Sequence, residues 1–173
     1  MLQYNNMRKT ITRRQAIAMF QQLGQMALGH LNDADIEKAM DNIAELQKVA
    51  EQYSKLSEEL HKRLFEGVDT ARCEEYDKLI RQGGDDAMAI VDSDYSDIKA
   101  LVIKKMNVMQ SLEEKEVAVD LKPLDRKTFS KAIMKAQPKT LQVAFNVLAP
   151  MFDEDIKAEA DLSELDELLN NNL

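Results

Sequence analysis

"IEKAMDNIAELQKVAEQYSKLSEELHKRL", Ile36–Leu64, is the stretch whose reading decides the fold. Its positions Ile36, Ala39, Ile43, Leu46, Ala50, Tyr53, Ser57, Leu60 and Leu64 advance in steps of three and four, and all but Ser57 are apolar or small. That spacing draws one apolar stripe down an α-helix. Met40, Val49 and Leu56 widen the stripe beyond a strict heptad seam, as contact with more than one neighbour requires. Residues 34–65 are therefore predicted as one helix, and the quoted residues alone make a rod of roughly 43 Å at 1.5 Å each. A rod so long and one-sided needs a partner helix to be stable in water.

The partner lies downstream. Ser96 or Asp97 opens a second periodic segment to about residue 114, with Ile98, Leu101, Val102, Lys105, Met106, Met109 and Leu112 along one side. Residues 34–65 and 96–114 are predicted to form a long antiparallel hairpin, closed by residues 66–95. Inside that closing region Gly67 and Asp69 mark a restart. A helix over 70–82 follows, contacting through Ala71, Cys73, Tyr76, Leu79 and Ile80, and Gly83-Gly84 ends it. Upstream, Thr12-Arg13-Arg14-Gln15 fits a capping box opening a helix over 13–28, with Ala16, Met19, Phe20, Leu23, Met26 and Ala27 on one face. Gly29 and Asn32-Asp33 break it and cap the next.

One segment is written in strand code. Val117, Val119 and Leu121 alternate with Ala118 and Asp120 before Pro123. A lone strand has no ladder, and residues 88–91 (Met-Ala-Ile-Val) are the other strand-like stretch. The two are expected to pair as a small β ribbon, 88–91 with 117–121, at the base of the hairpin. Short helices are then predicted over 126–136, 139–150, 154–159 and 162–169. The fold class is thus mainly α, a helical hairpin plus a ribbon and a C-terminal cluster of short helices. Residues 1–121 and 122–173 are read as its two parts.

Composition narrows the function classes. Among 173 residues, 5 Gly and 3 Pro are too few for an all-β fold, and 10 Met against no Trp describe an adaptable aliphatic core. The single Cys73 rules out an internal disulfide framework or a cysteine zinc cluster, which predicts a reducing compartment. No apolar run approaches the length of a membrane span, and the N-terminus lacks the apolar core of a signal peptide, so a cytoplasmic location is expected. Residues 1–6 are read as an extension before an internal start at Met7.

The net charge of −8 is unevenly placed. Residues 1–32 hold Arg8, Lys9, Arg13 and Arg14 with no acid; residues 153–173 hold eight acids against Lys157. Such polarity could steer one copy's tail to another copy's head. Chemistry, by contrast, is hard to find. His30 and His61 lack a carboxylate or cysteine at metal-ligand spacing, and Cys73 has no evident base. The Asp92–Asp97 acids lack the glycine and glutamate of a calcium loop, and Gly83-Gly84 lacks the lysine of a phosphate loop. Four basic residues without interleaved aromatics are a poor nucleic-acid footprint. No catalytic residue, metal or cofactor is expected, and no small-molecule substrate.

The order of features resembles a group of small, poorly characterised helical proteins encoded by tailed phages and prophages. The residues that carry it are "ITRR" (11–14), the long heptad-like helix, "EEYDKLI" (74–80), the second long helix, "LEEKEVAVDLKPL" (112–124) and "LQVAFNVLAPMFDED" (141–155). Residues 112–124 are the sharpest. The chain departs from that pattern at "GGDDAMAIVDSDYSD" (83–97), where a glycine-bearing β-turn is expected, and in its longer acidic extension. The resemblance implies a phage origin, the host cytoplasm or the virion as location, and a non-enzymatic part in assembly. The expected partners are protein chains or further copies, docked through apolar helix faces and the tail leucines Leu162, Leu165, Leu168 and Leu169, with Arg13 and Arg14 at the opposite end. The alternative is a regulatory binder that inhibits a host protein, or a nucleic-acid-directed defence, through its acidic surface.

Overall fold

The computed structural model describes residues 6–136 and 141–152. In chain order they form β1 (Met7–Thr12), α1 (Arg13–Gly24), a 3-10 turn (Leu28–His30), α2 (Asp33–Leu64), α3 (Thr70–Gln82) and α4 (Asp85–Asp94). Then come α5 (Ser96–Glu114), β2 (Glu116–Leu121), α6 (Arg126–Ala136), α7 (Leu141–Leu148) and a second 3-10 turn (Ala149–Met151). The fold is mainly α, and among the described residues there is one small antiparallel sheet with short helices after it.

The spine is α2. Asn32 caps it, accepting from the Asp35 N–H at 2.9 Å, and Asp33 and Asp35 in the first turn with His61, Lys62 and Arg63 in the last match its dipole. All nine stripe positions are buried or half-buried, but the stripe has two regimes. Through Val49 it sits in a core, with Ala39, Asn42, Leu46 and Val49 buried; beyond Val49 no α2 residue is fully buried. There α2 lies beside α5. The Tyr53 hydroxyl donates to the Glu113 carboxylate at 2.5 Å, and Lys105 Nζ lies 3.3 Å from His61 Nδ1. Eight residues up α2 thus match eight residues down α5, so the helices run antiparallel over this stretch. Met40 and Leu56, expected to widen the buried stripe, are 54% and 39% exposed.

The predicted strand exists, but its partner is different. β2 pairs antiparallel with β1, from Met7↔Leu121 to Thr12↔Glu116. Residues 88–91 are not a strand; they lie inside α4. Gly84, at φ 86°, turns the chain, Asp85 and Asp86 favour the new helix N-terminus, and Ala87 and Val91 face inward four residues apart. An apolar run of four fits either period, and here the helical one wins. β1 alternates too, yet its inward set is Met7, Lys9 and Ile11. The lysine hid it.

Two cores result. The principal one joins Ile11, Met19, Leu23 and Leu46 to Val119, Leu121, Phe129, Ile133, Leu148, Met151 and Phe152, so it draws on both sides of residue 121. A smaller one at the far end of α2 is built from Tyr76, Leu79, Ala87, Val91 and Ile98, with Phe65 and Val68 packed against it. Region 66–95 closes the hairpin as α3 and α4, held by Arg72. Its guanidinium bonds both Asp97 oxygens at 2.8 and 3.0 Å and the Asp94 carbonyl at 2.9 Å. α1 stops at Gly24, four residues earlier than its stripe suggests, and the expected helices 154–159 and 162–169 lie outside the described residues.

Asn42 is buried and polar, and it ties α2 to the sheet. Its Nδ2 donates to the Lys122 carbonyl at 3.0 Å, and its Oδ1 accepts the Lys122 N–H at 2.6 Å, as a neighbouring strand would. Glu45, one turn on, accepts the Asp120 N–H at 3.3 Å. Replacing Asn42 by Ala should cost about 2–3 kcal/mol in urea unfolding, because Lys122 is left with two unmet groups. Asn42→Leu should recover only part of that loss, since it restores volume without hydrogen bonds.

Candidate interaction surfaces

Two chain reversals meet at one junction. β1 turns into α1 at Thr12–Arg13, and α5 turns into β2 at Glu114–Glu116. Thr12 caps α1 as predicted: its hydroxyl accepts the Gln15 N–H at 3.1 Å, and Gln15 Oε1 accepts the Thr12 N–H at 2.9 Å. α5 lacks a C-terminal glycine, and Lys115 is already extended. Its exposed carbonyl end is met instead by Arg13, whose Nη1 donates to the Leu112 carbonyl at 2.6 Å and whose N–H donates to the Lys115 carbonyl at 2.8 Å. Arg14 Nε reaches Glu113 Oε2 at 3.1 Å from a side chain that is 56% exposed.

Arg13 and Arg14, read from the sequence as partner contacts, are therefore spent within the fold to different degrees. Arg13 is a clamp on α5, while Arg14 remains available at the surface. The other sequence-assigned contacts, Leu162, Leu165, Leu168 and Leu169, lie outside the described residues. The segments "ITRR" and "LEEKEVAVDLKPL", which carried the resemblance, turn out to be neighbours in space.

Tyr53 and Glu113 complete this junction. Burial first, then the hydrogen bond to Glu113, pushes the Tyr53 phenol up to about 12. The same bond is the largest influence holding the Glu113 carboxyl below its ordinary value, with Arg14 assisting. A tyrosine that resists ionisation beside a carboxylate that stays ionised is a structural pair, not an acid and base poised to exchange a proton. A shallow groove runs past them between Arg14, Ile17, Ala18 and Gln21.

Elsewhere, a cleft of about 400 Å³ opens where α2 ends, lined by His61, Lys62, Arg63, Phe65, Glu66, Val68, Thr70 and Cys73. His61 stacks on Phe65 with centroids 4.5 Å apart, and burial, then Asp77, raises the Cys73 thiol. A thiol held protonated is a poor nucleophile. Among the described residues no cluster of three or more His, Cys, Asp or Glu could hold a metal, and no helix is long and apolar enough to cross a membrane.

The described surface exposes several large apolar side chains. On the α2–α5 arm Leu56, Ile103 and Met106 are 39%, 47% and 64% exposed. A second feature escaped the sequence reading: α6 carries Arg126, Lys127, Lys131 and Lys135 with no acid. Summing charge over the long central part of the chain concealed it. No family model, curated protein or solved structure matches the chain.

Arg13→Ala should lower stability by about 1.5–3 kcal/mol, the worth of a charged hydrogen bond at a helix end, while Arg14→Ala should change it by less than about 1 kcal/mol. Urea titration of both variants reads the difference. For Tyr53 the raised value means its contribution is whole below pH 10 and is lost as pH rises through about 12. Glu113, with a lowered value, contributes above 4.5 and loses that contribution as pH falls through its native value. Tyr53→Phe should remove the phenol ionisation at about 12 from a spectrophotometric titration and flatten stability between pH 10 and 12.

Proposed function

We propose that this protein is a non-enzymatic, phage-type interaction protein that serves assembly, docking partner chains on its helical arm and through its acidic leucine-bearing tail. The observation that carries this reading is the exposed apolar series Leu56, Ile103 and Met106. It falls where α2 and α5 run together beyond the last fully buried α2 residue, Val49. Two helices side by side cover only part of each other's stripes, and a wider bundle covers the rest. The nearest surface of the right shape is a second copy of the arm, which would complete four helices. Methionine at the most exposed position suits a contact that repacks. The phage origin, and with it a place in the host cytoplasm or virion, rests on the resemblance centred on residues 112–124.

The second reading, a regulatory binder that blocks a host protein or a nucleic-acid-directed defence, is favoured by the acidic stretch 153–173, with eight acids against Lys157.

Sedimentation over a range of concentrations tests the arm. Ile103→Glu with Met106→Glu should weaken self-association at least tenfold while leaving the melting temperature nearly unchanged, because both side chains are largely exposed. Association through apolar faces should also survive added salt, unlike a head-to-tail charge contact. A wild-type chain that stays monomeric throughout the range would sink the arm reading.

A further inference from the structure

Asp125 starts α6 by accepting both the N–H and the hydroxyl of Thr128, at 2.7 and 2.6 Å. Phe129 and Ile133 face the core. The outward side carries Lys127, Thr128, Lys131 and Met134, and Met134 is 52% exposed. Beside it a cleft of about 650 Å³ is lined by His30, Asn32, Thr128, Lys131, Ala132 and Met134. The acids nearest the cleft are Asp125, engaged with Thr128, and Asp33 and Asp35, of which Asp35 accepts a hydrogen bond from Asn32. The cleft thus joins apolar side chains to a cationic helix.

The complement is written later in the same chain. Leu162, Leu165, Leu168 and Leu169 recur in the sequence at a spacing that a helix would bring to one face, interspersed with Glu164, Asp166 and Glu167 and preceded by Asp161. Acidic amphipathic segments dock as helices in apolar grooves with cationic rims. Reach favours the chain's own segment. The described chain ends at Phe152, whose ring meets Phe129 of α6 edge-on at 5.5 Å. Met134 is five residues further along α6, about 7.5 Å. Residues 153–160 can span up to about 26–29 Å when extended, so the leash is ample. Tethering also raises the local concentration to the millimolar range.

We propose that the α6 cleft is the docking site of the chain's own acidic segment Asp161–Leu169, its leucines against Ala132 and Met134 and its carboxylates toward Lys127 and Lys131. The proposal rests on the reading of the tail as a binding element and adds its regulation: a partner for the tail must first displace it from α6.

The test uses a labelled peptide of residues 160–173 and the full-length chain. Leu165→Asp with Leu168→Asp should free the cleft, so the peptide should bind that variant at least tenfold more tightly than wild type. Binding should weaken with salt and disappear when Lys127→Glu and Lys131→Glu are added, two exposed positions whose change should leave the melting temperature alone. Equal binding to wild type and the tail variant, or indifference to the lysines, overturns the proposal. Wild-type oligomers that the tail substitutions dissolve would also overturn it, since the tail would then dock on a second copy. Sedimentation of the arm variants is scored separately, so failure of the arm and failure of the cleft are told apart.

Discussion

The hydrogen bonds that Arg13 sends to the end of α5 set the geometry on which the rest depends. The Arg13 N–H to Lys115 carbonyl bond continues the β1–β2 ladder one rung beyond Thr12↔Glu116, and the guanidinium closes the Leu112 carbonyl on the same helix end. Register in an antiparallel ladder has a period of two, so this rung fixes which side chains turn inward. Val117, Val119 and Leu121 then meet Met7, Lys9 and Ile11 on the core side, while Arg8, Thr10 and Asp120 face water. α1 must leave the sheet beside α5, and its Ala16, Met19 and Leu23 are delivered to the core.

From that junction α2 distributes the stability. Its first half is anchored by Asn42, a side chain that acts as a piece of strand toward Lys122. Its second half reaches the smaller core through a stretch where only half-buried contacts with α5 hold it. Local stability follows buried apolar contact, so the arm between the cores is the part of the spine with least to lose by taking a partner. The exposed Leu56, Ile103 and Met106 lie there, whereas Tyr53 and Glu113, whose ionisation is perturbed, are engaged with each other.

Much of the fold was legible because it is written in period. The stripe from Ile36 to Leu64, the Thr12–Gln15 cap, the Asn32 cap and the Val117–Leu121 alternation each rest on local rules and appear where those rules put them. The errors have local causes as well. Met88–Val91 is too short to betray its period, and β1 is disguised by Lys9 in an inward position and by Arg8, Lys9, Arg13 and Arg14, which read as the basic end of the chain. The surfaces were less legible. An apolar residue in a wide stripe reads as core, and Met40, Leu56 and Met106 are exposed because no second neighbour among the described residues covers them. The cationic run of α6 was visible in principle to a window of one helix, but not to sums over larger segments.

By itself the sequence determined the long helices, the Thr12 and Asn32 caps and the apolar face of β2, because hydrogen bonds and side-chain periodicity within a few residues decide those. Only the tertiary structure decided that β1 is the partner of β2, that Arg13 bonds the end of α5, and that Asn42 replaces a third strand. Each joins residues about 80 to 110 apart, and pairing at that range is settled by which edges and unmet backbone groups meet once the helices have packed.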